Sequence, residues 1–352
     1  MTSITSTTTI AHITPSGSSS IIHMLQSGLS IHRKDITFIK RQDWDIFYCN
    51  ELKYPLLTAE PIYKKPEIPI NRANIIDPFG PDPELPATDQ FTVPEYETYM
   101  AYGGSMGHNA PAGQHKASIE VFNDTFKFSN ITPQEMVLNS GLWVLFENWT
   151  KSLCHNKKLY NTVCFTGSIP ARGRGAIKLF KGVKDGHPDV HINVPTHMFK
   201  VIIANHYDHP NTVFYTIYLT ENRPYDIKPS ARYDLSKYRI SAEKLYKVSY
   251  GLIDIAELIL SYGVGIISEN KNMTSNIEPL TKVVSHTFNA YPNLGLQMIK
   301  CAWYGKLIYV DTLEELERRW TECLNKHSKD FGDMQYHEQF YIYSKYRLSL
   351  KK

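Results

Sequence analysis

Ser105-Met106-Gly107-His108-Asn109-Ala110-Pro111-Ala112-Gly113, followed by Phe128-Ser129-Asn130-Ile131-Thr132-Pro133-Gln134, is the part of this chain whose reading decides its fold. The first run sets one histidine in a frame of small residues, which lets a backbone or a bulky anionic ligand come close. The second reads as a strand leading into a helix. Thr132 fits an N-cap, Pro133 the first helical position, and Glu135 the residue three further on that completes a capping box. A helix begun there carries Asn139, Trp143, Glu147 and Lys151 at successive four-residue spacings, on one slowly drifting stripe. A histidine, an amide oxygen, a carboxylate and a cation converging on one spot suit phosphodiester chemistry with a hard metal ion.

These runs resemble the signature of the DNA/RNA non-specific endonucleases, the ββα-metal nucleases that include endonuclease G and its exonuclease-like mitochondrial paralogue. The family pattern is Asp-Arg-Gly-His with an Ala-Pro-Ala-like run, then Ser-Asn-Ile-x-Pro-Gln, an Asn five residues later, a Trp and Leu-Glu. The matching positions are Gly107, His108, Ala110 to Gly113, Ser129 to Gln134, Asn139, Trp143 and Glu147. Upstream, Arg72 and Asp77-Pro78 resemble the family's Arg and Asp-Pro segment. Downstream, Val163-Cys164-Phe165-Thr166-Gly167 and Val194-Pro195-Thr196-His197-Met198-Phe199-Lys200-Val201-Ile202 resemble two of its strands. Two positions depart from the pattern. Ser105 stands for the family's Asp, as in the exonuclease-like paralogue, and Met106 stands for its Arg. A methionine can neither pair with a phosphate nor stabilise developing negative charge.

The resemblance implies an α+β fold, a central antiparallel sheet flanked by helices, and it implies roles. His108 would be the general base. Asn139 would be the sole direct protein ligand of Mg2+, with Mn2+ as the alternative ion. Glu147 would orient metal-bound waters, and Arg72 would bind the substrate phosphate. Lys151 stands where relatives have Arg and keeps a point charge without the bidentate fork. Asn130 is grouped with the substrate-binding residues and would brace the site through hydrogen bonds. The implied substrate is DNA, with RNA as a second, and the products carry 5′-phosphate ends. Such a site reads phosphate and sugar, so cleavage without sequence specificity is expected. Relatives often pair, which makes a homodimer the expected assembly. The competing reading is a nucleic-acid-binding protein on a nuclease scaffold, weakened by the loss of Arg at Met106.

The rest of the chain bounds this picture. Its 352 residues are 42% hydrophobic and 21% charged, an ordinary globular composition, and the net charge of +3 fits a polyanion partner without demanding one. No apolar run reaches the length of a membrane span. Five scattered cysteines without a C-x-x-C spacing argue against a disulfide scaffold and a zinc site, and favour a reducing, intracellular compartment, whether mitochondrial, nuclear or cytoplasmic.

Residues 1–35 hold no acid before Asp35 and are crowded with Ser and Thr, so they read as a disordered tail or a transit peptide. The nuclease domain is expected over 36–264. Ile36 to Ile39 and Trp44 to Cys49 read as strands. Pro55 to Pro94, rich in proline, reads as a long surface loop with an acidic cluster at Asp77, Asp82, Glu84 and Asp89. Strands follow at Thr162 to Phe165, 199–203 and 212–219. Between them, Arg172 and Arg174 open a basic, glycine-punctuated segment that is either a hairpin tracking a nucleic-acid backbone or a solvated loop. One helix is expected from Ser241, through Leu245, Val248, Leu252, Ile255, Leu258 and Ile259, to Gly263. A mostly helical extension, with a helix from Thr312, is expected over 265–352.

Overall fold

The computed structural model describes residues 15–29, 36–70, 79–101, 103–171, 176–179, 190–225, 232–262, 276–279, 287–289, 299–303, 306–310, 318 and 321. In chain order, helix α1 (Pro15–Gly28) precedes three strands, β1 (Ile36–Lys40), β2 (Asp45–Cys49) and β3 (Tyr54–Pro61). Helix α2 (Val93–Ala101) leads to β4 (Gly104–His108), helix α3 (Ile119–Asp124) and β5 (Ile131–Glu135). Helices α4 (Met136–Ser140) and α5 (Leu142–Ser152) follow, then β6 (Leu159–Ile169), β7 (Ala176–Leu179), β8 (Val190–Asn193), β9 (His197–His206) and β10 (His209–Glu221). The remainder comprises β11 (Arg232–Asp234), β12 (Arg239–Ile240), α6 (Ala242–Val248), α7 (Ile255–Tyr262), β13 (Asn276–Pro279), β14 (Thr287–Asn289), β15 (Ile299–Trp303) and β16 (Lys306–Val310).

The central sheet runs β1-β2-β3-β6-β9-β10-β12, every neighbour antiparallel, and β13 joins β10 in parallel. Residue alternation sends successive side chains to opposite faces. On one face Phe47, Leu57, Phe165, Val201 and Ile203 pack under α1 and α7, through Ile21, Leu25, Leu258 and Ile259. On the other face Cys164, Met198, Ile202 and Tyr218 pack under α5, through Leu142, Trp143, Phe146 and Trp149. The result is three layers, helices on both sides of one sheet, which is the α+β arrangement expected.

Several expectations need correction. Order begins well before Ile36, because Ile21, Met24, Leu25 and Leu29 fall on one helical face and are buried in the core that α1 shares with α7. The Pro55–Pro94 segment is not all loop. Tyr54–Pro61 is a buried strand at the middle of the sheet, and Pro55 is accommodated where the β2–β3 register shifts between Phe47 and Tyr48. Asp82 in that segment is no surface residue: it is fully buried, pairs with Arg41 and accepts a hydrogen bond from Ser129.

The helix expected from Ser241 is two helices. Ser241 does cap α6, its hydroxyl accepting from the Lys244 amide at 3.1 Å. The chain then leaves the helix at Tyr250 and Gly251, which have φ of 55° and 81°, and Asp254 starts α7 by accepting from the Ala256 amide at 2.8 Å. Beyond residue 264 the described segments are the strands β13 to β16, where helices were expected. The helix expected from Thr312 lies outside the described residues except for Arg318 and Thr321, both helical. Among the described residues, no helix is long and apolar enough to cross a membrane, and Cys49, Cys154 and Cys164 are free thiols.

Candidate active site

Strands β4 and β5 pair antiparallel, with Gly107 opposite Thr132 and His108 opposite Ile131. Glycine at 107 lets the strands pair closely, because a Cβ there would sit 2.8 Å from the Gln134 Cβ and would force that side chain to move. His108 therefore ends a strand held tightly to its partner. Its half-buried ring packs edge-on against Phe126, centroids 4.9 Å apart, and against Phe79 at 5.4 Å.

Asn130 is fully buried and spends its carboxamide on backbone. Its Oδ1 accepts from the Ala110 amide at 2.9 Å, and its Nδ2 donates to the carbonyls of Ala110 at 2.9 Å and Thr125 at 2.8 Å. These bonds tie the Asn130 side chain to the start of the turn that follows His108. Thr132 donates to Asn109 Oδ1 at 3.0 Å. It is thus a strand residue, not the N-cap that the spacing suggested.

The cap is Glu135, whose carboxylate accepts from the Leu138 amide at 2.7 Å and starts α4 at Met136. Gly141 then breaks the helix, so half-buried Asn139 lies on α4 while Trp143, Glu147 and Lys151 follow on α5. The unit β4, β5, α4 and α5 is two paired strands followed by two helices, with α5 packed on the central sheet. Gln114 Nε2, in the 3-10 turn Ala112–Gln114 after His108, donates to the Glu147 carbonyl at 3.2 Å, and Lys151 Nζ donates to the Gly113 carbonyl at 3.0 Å. The turn that leaves His108 is thereby fastened to the helix that carries Glu147.

Under α5 the sheet face turns polar. Thr58, Glu60, Thr166, Ser168 and Lys200 are all buried there. Lys200 Nζ donates to Thr166 Oγ1 at 2.7 Å and lies 5.0 Å from the centre of the Trp143 ring. Burial pushes the half-buried Glu147 carboxyl up to about 7, with the Lys200 ammonium opposing the rise and the Glu60 carboxylate adding to it. Sequence reasoning missed Glu60 and Lys200, although a lysine between Phe199 and Val201 in an apolar strand was a signal available in the chain.

Ser105 and Met106, where the pattern departs from the family, occupy ordinary strand positions. The Ser105 hydroxyl donates to the Gln134 carbonyl at 3.1 Å, and Met106 is half-buried against a cluster that includes Phe91, Tyr96 and Phe128. Lys151 also pairs with Glu67 at 2.7 Å on the surface. Arg72, Arg172 and Arg174 lie outside the described residues, although β7 and β8, just beyond Arg174, do pair as a hairpin.

Among the described residues no three His, Cys, Asp or Glu side chains are grouped to hold a metal ion. The residues that the motif offers as donors are one amide and one carboxyl, Asn139 on α4 and Glu147 on α5, a chemistry that suits a hard, water-rich ion with few protein ligands.

The sequence model of the DNA/RNA non-specific endonucleases matches residues 24–258. The chain belongs to that family. Among individual members of the non-specific endonucleases, it is 29% identical over 188 residues to "Nuclease EXOG, mitochondrial" of Xenopus laevis, covering 51% of this chain and 48% of the relative. It is 32% identical over 177 residues to the Homo sapiens protein of that name, covering 50% and 45%. Identity to "Endonuclease G, mitochondrial" of Homo sapiens is 34% over 110 residues, 30% of this chain and 35% of the relative. The chain spans about half the length of the EXOG relatives it matches. A solved structure, "Crystal structure of the EndoG/EndoGI complex", is 20% identical with a TM-score of 0.48, covering 69% of this chain and 95% of that one. The described elements of this family member carry His108 on β4, Asn139 on α4 and Glu147 on α5.

Proposed function

We propose that this chain is a magnesium-dependent nuclease that hydrolyses phosphodiester bonds of DNA, and secondarily of RNA, without sequence preference. The observation that carries the reading is the fastening of the His108 turn to α5 at Glu147, inside a family whose members are nucleases. His108, at a strand end beside a glycine that admits close approach, takes the proton of the attacking water at a ring nitrogen. Asn139 offers its amide oxygen to the magnesium ion, which when bound supplies charge stabilisation to the phosphate and the departing 3′ oxygen. Glu147, as the carboxylate, accepts hydrogen bonds from water in the site and orients it. Arg72 and Lys151 neutralise phosphate charge, Arg172 and Arg174 track the backbone further out, and the cut ends keep the 5′-phosphate. We extend the proposal to a homodimer, and to the mitochondrion as the first compartment to examine, since that is where the relatives' names place them.

One observation favours a second reading. Met106 sits half-buried in an apolar cluster where the family has a phosphate-facing arginine, as a protein that binds nucleic acid and cuts it poorly would have. The two are separated by incubating closed circular plasmid and an end-labelled duplex with the purified protein, in magnesium and in chelator, beside His108→Ala. Cutting of the circle that requires magnesium and disappears in His108→Ala is the expected result. Binding without cutting in any divalent metal would instead establish the second reading.

A further inference from the structure

Behind the candidate site lies a set of charged side chains that the reaction above does not use. Asp43 precedes β2, Glu60 is at the end of β3, Lys65 lies in the segment after β3, and His115 follows the Ala112–Gln114 turn. None of the four side chains is more than 6% exposed. His115 Nε2 is 2.9 Å from Glu60 Oε1, and its Nδ1 is 3.2 Å from Lys65 Nζ and 3.6 Å from Asp43 Oδ2. Lys65 Nζ lies 3.5 Å from Glu60 Oε1 and 3.9 Å from Asp43 Oδ2. The Tyr63 hydroxyl donates to Asp43 Oδ1 at 3.3 Å, and the Trp44 ring covers His115, centroids 4.3 Å apart. Two carboxylates, an ammonium and an imidazole close a buried box.

Such a box is weak evidence for stability, since well-packed apolar residues often do as well. It is stronger evidence for a fixed geometry, and what it fixes is specific. His115 ends the turn that begins after His108. The near end of that turn is held by Asn130 at Ala110. The far end is held by His115 in the box, by Gln114 on the Glu147 carbonyl, and by Lys151 on the Gly113 carbonyl. The segment that supplies Lys65 is tied to the same place, the Ile68 amide donating to the Lys116 carbonyl at 2.8 Å.

We propose that His115 is a positioning residue: seated among Asp43, Glu60 and Lys65, it fixes the far end of the Asn109–His115 turn and so the setting of His108 against α5. The catalytic consequence rests on the nuclease reading above; the anchoring does not. A reacting group held to within about half an ångström by packed and hydrogen-bonded neighbours loses rate steeply when they loosen.

The test compares the full-length protein with His115→Ala, His115→Gln and Gln114→Met in two measurements, plasmid-cutting kinetics and amide hydrogen exchange. In His115→Ala, kcat falls tenfold or more while KM for DNA stays within about twofold, and amide exchange at 109–116 quickens. His115→Gln, which keeps a polar group in the box, recovers part of both. Where His115→Ala melts below the assay temperature, Gln114→Met carries the same test, because it cuts the tie to Glu147 and leaves every charge in place. A wild type that does not cut removes the nuclease reading, and the exchange measurement still decides the anchoring. Wild-type kcat in folded His115→Ala or Gln114→Met, with only the melting temperature moved, overturns the proposal. So does unchanged exchange at 109–116.

Discussion

Glu147→Gln should make the protein more stable, and more so the higher the pH. Burial raises the Glu147 carboxyl from 4.5 to about 7 in the folded chain, with Lys200 only partly offsetting the effect. Its contribution to stability is therefore fully present below the unfolded value near 4.5 and is lost as the pH rises through about 7. At 1.36 kcal/mol for each tenfold change, the full rise corresponds to roughly 3 kcal/mol. The side chain is half-buried, so solvent screens part of this, and about 1–3 kcal/mol is the expected range. The Gln variant carries no such charge. Its advantage over wild type should be near its minimum at pH 4.5 and grow by that amount by pH 8, without magnesium. Glu60, buried but held down to about 2 by His115 and Lys65, stays ionised across this pH range in both proteins and cancels in the difference. Urea melts of wild type and variant at both pH values, with chelator present, make the measurement. A difference that does not change with pH would refute the reasoning, and one that shrinks at high pH would reverse its sign.

Met106→Arg should raise cleavage severalfold at nearly constant DNA affinity, at a stability cost of about 1 kcal/mol for the apolar area no longer buried against Phe91 and Phe128; single-turnover rates and a melt check both parts. Glu67→Gln frees the Lys151 ammonium from a surface pair 2.7 Å long. Since such pairs contribute at most about 1 kcal/mol, DNA affinity should rise no more than about fivefold at low salt and converge with wild type as salt increases, as a titration by fluorescence anisotropy would show. Gly167→Ala places a Cβ 2.5 Å from the Leu56 carbonyl oxygen and 2.3 Å from the Phe199 ring. Overpacking of that kind should cost about 2–4 kcal/mol in a denaturant melt, with no selective effect on cleavage by the folded fraction.

Much of the sheet was legible because β1, β2, β9 and β10 are runs of β-branched and aromatic residues with clear boundaries. Strand β3 was hidden by Pro55, which argues against a central strand unless a register shift makes room for it, and no local pattern announces that shift. The start of α4 was misread because Thr132-x-x-Glu135 imitates a capping box. Pairing with β4 outcompeted helix formation at Thr132, and the cap moved to Glu135. His108, Asn139 and Glu147 were singled out through a motif, so their proposed roles rest on local sequence. The box around His115 could not, because Asp43, Glu60, Lys65 and His115 are brought together only by the path of the chain around the sheet. Helix α1 was obscured by the serines and threonines around its four apolar residues.

The parallel pairing of Asn276–Pro279 with Thr212–Tyr215 has a practical meaning for anyone shortening this protein. A chain cut after residue 264 would keep the matched family region but strip β10 of that neighbour, baring a row of amide and carbonyl groups beside the Ile217–Tyr218 pairing with β12. Unprotected strand margins recruit other chains. The shortened protein should accordingly self-associate and precipitate at concentrations where the full-length chain stays dispersed, and a cut placed after Pro279 should not.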